Sequence, residues 1–271
     1  MIRKIKEIFF KIRYFIFSRT IRSHEYNKLL FEIEGISGDL ERLSFDNKIS
    51  NKLDYLQSSK ELYPSVSAIY RVKNCQEYIE SSILSIVPLA SEIIIIDNDS
   101  NDSTLSICKR LKEELKNIVE IKIYSYKQKV EIAGNGYINR IEKNPAGSLS
   151  KFYEYSFSKG SCDYLMKCDA HCIFTLSGIE EIRTMLNRGI DVISFTGTEI
   201  YGKTFSYEPS IFSREKSGYK FVDCEQWEKL SFESKNRKLI KKPIFIHLKR
   251  LCLSKYIGCN SSESNIIKKY A

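Results

Sequence analysis

The first residues, MIRKIKEIFFKIRYFIFSR, place apolar side chains at Ile2, Ile5, Phe9, Ile12 and Ile16, with Ile8 and Phe15 widening the stripe. Arg3, Lys4, Lys6, Lys11 and Arg13 take the other faces, so the spacing predicts a basic amphipathic helix. Residues 25–60 continue as one or two helices on Leu40, Leu43, Leu53 and Leu56, and Pro64 ends that regime. Beyond it, β-branched and aromatic runs predict strands at 66–72 (VSAIYRV), 92–96 (EIIII), 119–124 and 164–167 (YLMK). Helical spacing predicts 77–86, 103–115 and 149–157, while Gly, Asn and Lys around Pro145 predict one long loop over 127–147. Strands alternating with helices, without hairpin signals, predict an α/β fold built on a parallel sheet.

Composition narrows the class. A chain of 271 residues holds one large domain or two small ones. Its 42% hydrophobic content excludes disorder, and 12 Gly with 5 Pro exclude a fibrous or low-complexity chain. No apolar run approaches the roughly 20 residues that span a bilayer. Lys and Arg interrupt the N-terminal apolar residues, unlike a signal peptide, so a cytoplasmic location is expected. The 8 Cys, without a CxxC pair, fit reduced thiols in such a compartment. One cluster, Cys162, Cys168, His171 and Cys172, has the residue types of a zinc site.

The net charge of +9 is uneven: residues 1–22 carry +6 and 235–271 carry +9, which leaves −6 across the centre. An acidic centre excludes a general nucleic-acid binder, whose positive stripe lies on the folded domain. The basic helix suits the surface of an anionic membrane, where each Lys or Arg adds about 1 kcal/mol. Packing on its own domain, or pairing of subunits, would use the same stripe.

In a parallel sheet, ligands bind beyond the carboxyl ends of the strands. Asn74, Asp97, Asn98, Asp99, Asp169 and His171 lie at those predicted ends, with Asp102 and Ser103 as the cap of the following helix. Asp169 and His171, two apart past one strand, can aim at one point. Carboxylate oxygen with imidazole nitrogen suits Mn²⁺ or a related divalent ion, which can bridge phosphates.

The stretch VSAIYRVKNCQEYIESSILSIVPLASEIIIIDNDSNDST resembles the opening of glycosyltransferase family 2, which has the GT-A fold. YLMKCDAHC stands where that family has its DxD segment, and the likeness covers about residues 64–175. The resemblance implies transfer of a sugar from a nucleotide-sugar donor, with inversion and with a divalent metal, Mn²⁺ or Mg²⁺, on the diphosphate. It places Asp97 and Asn98 at the base- and ribose-binding positions, flanked by Asn74 and Asp99. Asp169 and His171 fall on the metal motif, here in D-x-H form. Asn98 stands where an Asp often accepts a hydrogen bond from uracil, so the nucleotide is left open.

His247, in KPIFIHLKR, matches the C-terminal His that GT-A members often return to the metal, or is a strand His bonded to backbone. Lys249 and Arg250 lie near the diphosphate or belong to the basic tail. His24 reads as a surface residue. An inverting enzyme needs a carboxylate to deprotonate the acceptor, and the family supplies it from an ED pair at a helix start. The nearest match is Asp223-Cys224-Glu225-Gln226-Trp227, which makes Glu225 or Asp223 the candidate base, with Glu199 and Glu208 in reserve. Tyr201, Phe205, Tyr207 and Trp227 suit an acceptor-stacking platform or core packing.

The expected layout is an N-terminal helical extension (1–60), a GT-A domain (61–250) with a nucleotide-sugar half (61–175) and an acceptor half (176–250), and a basic tail (251–271). The expected activity is sugar transfer to a lipid-linked or surface glycan, of lipopolysaccharide or capsule type, at the inner face of a membrane held by residues 1–22. Two other readings share the fold: a catalytically inactive adaptor, and a nucleotidyltransferase. The turn Lys73-Asn74-Cys75 lacks the Gly-rich phosphate loop typical of the latter.

Overall fold

The computed structural model describes residues 55–199 and 207–248. The basic N-terminal segment, His24, Tyr201, Phe205, Lys249, Arg250 and the basic tail lie outside the described residues, as do the side chains of Glu199, Tyr207 and Glu208. Among the described residues, no helix is long and apolar enough to cross a membrane.

One eight-stranded sheet organises the chain, in the order β3-β2-β1-β4-β7-β6-β10-β5. The first half holds β1 (Val66–Val72), β2 (Glu92–Asp97), β3 (Glu120–Ser125) and β4 (Tyr164–Cys168), all parallel. Helices α1 (Ile79–Ile86), α2 (Thr104–Glu114) and α4 (Leu149–Phe157) connect them. In β2 the run of isoleucines is buried on both faces: Ile93 and Ile95 enter one apolar cluster, Ile94 and Ile96 the other. A two-sided covering of this kind is why the strand reads as continuous rather than alternating.

The second half departs from the all-parallel expectation. β7 (Tyr207–Ser213) pairs antiparallel with both β4 and β6 (Val192–Glu199), and β10 (Arg237–His247) lies parallel to β6. The two reversals cancel, so β6 and β10 run in the direction of β4. β5 (Cys172–Phe174) closes the edge antiparallel to β10. The carboxyl ends of β1, β2, β4 and β10 therefore open on the same edge of the sheet, the edge where an open α/β sheet binds its ligands.

Three expectations are corrected. The stretch 127–147 contains a helix, α3 (Tyr137–Lys143), and a 3-10 turn (Pro145–Gly147). Seven residues are too few for a periodic signal, and the helix is set by Gly136, at φ 75, and by the fully buried Tyr137 that follows. Next, DCEQWE opens no helix: it turns a hairpin between β8 (Lys220–Asp223) and β9 (Glu228–Ser231). Phe221 faces Leu230 and Asp223 faces Glu228 on one side of this ribbon, and that alternation, two residues in period, is a strand pattern. Finally, Cys162 lies before β4 and Cys168 ends it, so a strand's length keeps Cys162 away from Cys168, His171 and Cys172, and the four do not form one zinc site.

Candidate active site

The D-x-H segment folds as a tight turn between β4 and β5. The Cys172 amide donates to the Asp169 carbonyl at 3.0 Å and closes it. The Ser82 hydroxyl on α1 donates to the Cys172 carbonyl at 2.7 Å, and Ser85 accepts from the Phe174 amide, so α1 holds the turn from below. From the other side the Leu248 amide donates to the His171 carbonyl at 2.7 Å. That contact brings the end of β10 onto the turn, and the rings of His171 and His247 meet edge to face at 4.4 Å. The ligand atoms of His171, Cys172 and His247 all lie within 4.8 Å of one another. Two imidazoles and a thiol are a donor set that fits a divalent ion, and the Asp169 carboxylate is not one of this group.

Asp169 itself is gripped by Arg71, whose Nη2 lies 3.2 Å from its Oδ1. Burial alone would raise the Asp169 carboxyl, but the charges of Lys167, Arg71, His171 and His247 outweigh it and hold it down at about 2. Arg71 is 5% exposed through its side chain and stacks 4.0 Å over the Tyr153 ring of α4. Its Nη1 is buried without a hydrogen-bond partner among the described residues.

Beyond β2 the loop is held by its own side chains. Asn98 is buried and gives both amide hydrogens to the carbonyls of Tyr126 and Gln128, each at 2.8 Å. Asn74 and Asp99 adopt left-handed backbone, φ 51 and 61. The Asn74 side chain accepts from the Asn101 amide at 2.9 Å, and Asp102 accepts from the amides of Thr104 and Gln76. Asp102 thus caps α2 from just outside it. Asp97 is 5% exposed; its Oδ2 accepts from the Ser100 amide, whereas its Oδ1 is buried with no partner among the described residues. An orphaned carboxylate oxygen at the end of a central strand is costly unless something donates to it.

The sequence profile of Glycosyl transferase family 2 matches residues 67–253, spanning every element of this edge. The chain belongs to glycosyl transferase family 2. Members of this enzyme family generally use a nucleotide-sugar donor and a divalent metal. Comparison with curated proteins finds no match. Among solved structures, S. aureus TarS residues 1–349 is similar at 11% identity and a TM-score of 0.47, covering 70% of this chain and 62% of that one. The longer S. aureus TarS structure gives 11% identity and a TM-score of 0.48, covering 68% of this chain and 36% of that one. Glucosyl-3-phosphoglycerate synthase from Mycobacterium tuberculosis gives 18% identity and a TM-score of 0.35, over 53% of this chain and 47% of that one.

The hairpin carries three carboxylates. Asp223 is half-buried and accepts from Ser148 Oγ at 2.6 Å, Ser150 Oγ at 2.8 Å, the Ser150 amide at 3.0 Å and the Tyr137 hydroxyl. Burial opposes its charge, but these donors prevail and its carboxyl is pulled below the usual range. Such a group ties the hairpin to the start of α4 and is a weak base. Glu225 is exposed in the hairpin turn, beside the exposed Trp227. Glu228 opens β9 on the face of Asp223, and its charge acts on both Arg71 and Tyr153.

Two site residues escaped the sequence reading. Arg71 was visible as the one charge in VSAIYRV, a signal of an internal partner. Glu228 gains its place only from hairpin register, which sequence spacing does not reveal.

Proposed function

We propose that this family 2 enzyme transfers a sugar from a nucleotide-sugar donor to a lipid-linked or surface glycan, of lipopolysaccharide or capsule type, with inversion and with the help of a divalent metal. The observation that carries the reading is the meeting of His171 and His247, at the carboxyl edge of the sheet, on the turn that Asp169 opens. Asp169, His171 and His247 would hold the metal, with D-x-H standing for DxD. When bound, that ion neutralises charge on the departing nucleoside diphosphate.

The chain's own residues divide the remaining work. Asp97 Oδ1 accepts from a donor group on the base or ribose, which answers its missing partner. Asn74, Asn98 and Asp99 shape the loop that receives the nucleotide. Arg71 keeps the Asp169 carboxylate charged and aimed. Glu225 or Glu228 takes the acceptor proton, while Asp223 fixes the hairpin that presents them. Residues 1–22 bring the enzyme to the inner face of an anionic membrane, where a lipid-linked acceptor lies. The layout proposed with it is an extension over 1–60, a catalytic domain over 61–250 and a basic tail over 251–271.

The test is thermal stability with UDP, GDP, CMP and dTDP, each with and without Mn²⁺, on wild type and His171→Ala. A nucleotide at 100 times its dissociation constant stabilises the fold by about 2.7 kcal/mol. We expect a metal-dependent shift with one nucleotide, lost in His171→Ala. A metal-independent shift would overturn the metal's part, and no shift with any of the four would overturn donor binding.

A further inference from the structure

We propose that Cys172 is itself a ligand of the metal centre, and that the centre accepts a thiolate-binding ion of the Zn²⁺, Co²⁺ or Fe²⁺ kind in preference to Mg²⁺ or Mn²⁺. The inference rests on the metal site proposed above and changes its chemical class from a carboxylate site to one containing sulfur.

Three features carry it. The first is register: Cys172 and His247 are directly opposed in the antiparallel pair of β5 with β10, which puts both side chains on one face of the sheet. Next, the turn closed by the Cys172 amide brings His171 to the same place, so Sγ and two imidazole nitrogens lie within 4.8 Å of one another. A tetrahedral zinc ion, with bonds of about 2.0–2.1 Å to nitrogen and 2.3 Å to sulfur, needs its ligands roughly 3.3–3.8 Å apart. The trio is within about 1.5 Å of closing on such an ion. Third, Cys172 is 7% exposed while both histidines are half-buried, so the sulfur forms the floor of the cluster and the imidazoles its rim.

A buried cysteine is commonly just a small apolar residue, and Cys108 and Cys168 fit that description. Cys172 differs because its sulfur stands against two imidazoles at a ligand-binding edge. The thiolate and two imidazoles leave one tetrahedral position for an oxygen ligand, which the Asp169 carboxylate or the diphosphate would take. Ligand softness then sets the preference: thiolate with imidazole favours zinc and its neighbours, whereas magnesium and manganese favour oxygen.

The experiment titrates the chelator-stripped full chain with Co²⁺, Zn²⁺, Mn²⁺ and Mg²⁺, reading absorption and binding heat rather than turnover. Wild type should give a sulfur-to-cobalt charge-transfer band in the near ultraviolet, together with visible bands of a tetrahedral ion. Cys172→Ser should lose the ultraviolet band, and Cys162→Ser, which alters a thiol at the other end of β4, should keep it. The preference for Zn²⁺ over Mn²⁺ should fall about 100-fold in Cys172→Ser. Visible cobalt bands without the charge-transfer band in wild type would overturn the sulfur ligand and leave the metal site standing. Failure of all four ions to bind would overturn both. The wild-type spectrum decides the matter even where a variant fails to fold.

Discussion

Arg71 lies 3.2 Å from the Asp169 carboxylate on one side and 4.0 Å over the ring of Tyr153 on the other. A guanidinium is suited to this because its edge can pair with a carboxylate while its face stacks on an aromatic. β1, α4 and the D-x-H turn are joined by this one side chain, although they are far apart in sequence.

Replacing Arg71 by Met should therefore cost stability as well as function. The loss of the stack, together with a carboxylate left beside an apolar ring, amounts to about 1–2 kcal/mol, modest because the Asp169 side chain is 36% exposed. Urea denaturation measures it. Arg71→Lys should keep the charge but lose the fork and the stack, and should weaken nucleotide-dependent stabilisation. A Lys variant indistinguishable from wild type would refute the positioning role.

Asp223 and the hydroxyls around it predict a different outcome from that of a base. Asp223→Ala leaves the Tyr137, Ser148 and Ser150 donors without their acceptor and should destabilise the fold by about 2–4 kcal/mol. Folded protein should still bind nucleotide. A catalytic base would give the reverse, an intact melting curve with transfer abolished.

Much of the first half of the sheet was legible in advance. β1 matches the predicted 66–72, and β2 and α4 begin where periodicity set them, because each is long, apolar and backed by the layer it needs. That Asp169 and His171 follow β4 on one turn was legible as well. What did not show was everything decided by pairing between distant segments. The hairpin at 220–231 owes its register to Phe221 and Leu230 packing on the aromatic cluster under α4, and its alternation is too short to stand out. Cys172 was grouped with Cys162 and Cys168 because they were near in sequence, whereas its neighbour across the sheet is His247.

The acid limb of stability should draw most on Glu92, at the end of the sheet away from the site, whose carboxyl is lowered further than that of Asp169. It accepts from Lys122 Nζ at 2.7 Å, Ser67 Oγ at 2.6 Å and both Ser161 donors. Burial would raise its carboxyl, but these partners bring it down from 4.5 to about 2. A folded value below the unfolded one means that this stabilisation is complete above the unfolded value and lost as pH falls toward 2. It is on the order of 2–3 kcal/mol. Glu92→Gln should be less stable near neutrality, with the gap to wild type narrowing below about pH 5. A gap that stays constant down to pH 3 would count against Glu92 as the origin.

Gly197 controls where β10 can run. It pairs with Phe245, and a Cβ at Gly197 would overlap the Phe245 ring. Since His247 lies two residues beyond Phe245, Gly197→Ala should displace the end of the strand. Overpacking of this sort costs about 1–3 kcal/mol, and metal affinity should fall with it. Calorimetric titration with Zn²⁺ reads the second effect, and unchanged affinity would show that β10 yields elsewhere.

β10 is long and irregular, with register shifts on either side of Pro243, and it carries His247 back to a turn that the chain left before β5. An ion bound between that turn and His247 is therefore also a clasp. It closes a loop holding α5 (Leu176–Asn187), β6, β7 and the hairpin, and removes from the unfolded chain the freedom of that whole segment. If the site holds a metal, chelation would do more than empty it: it would loosen the segment from α5 to the hairpin as a unit, exposing it to proteases while β1 to β4 stay intact.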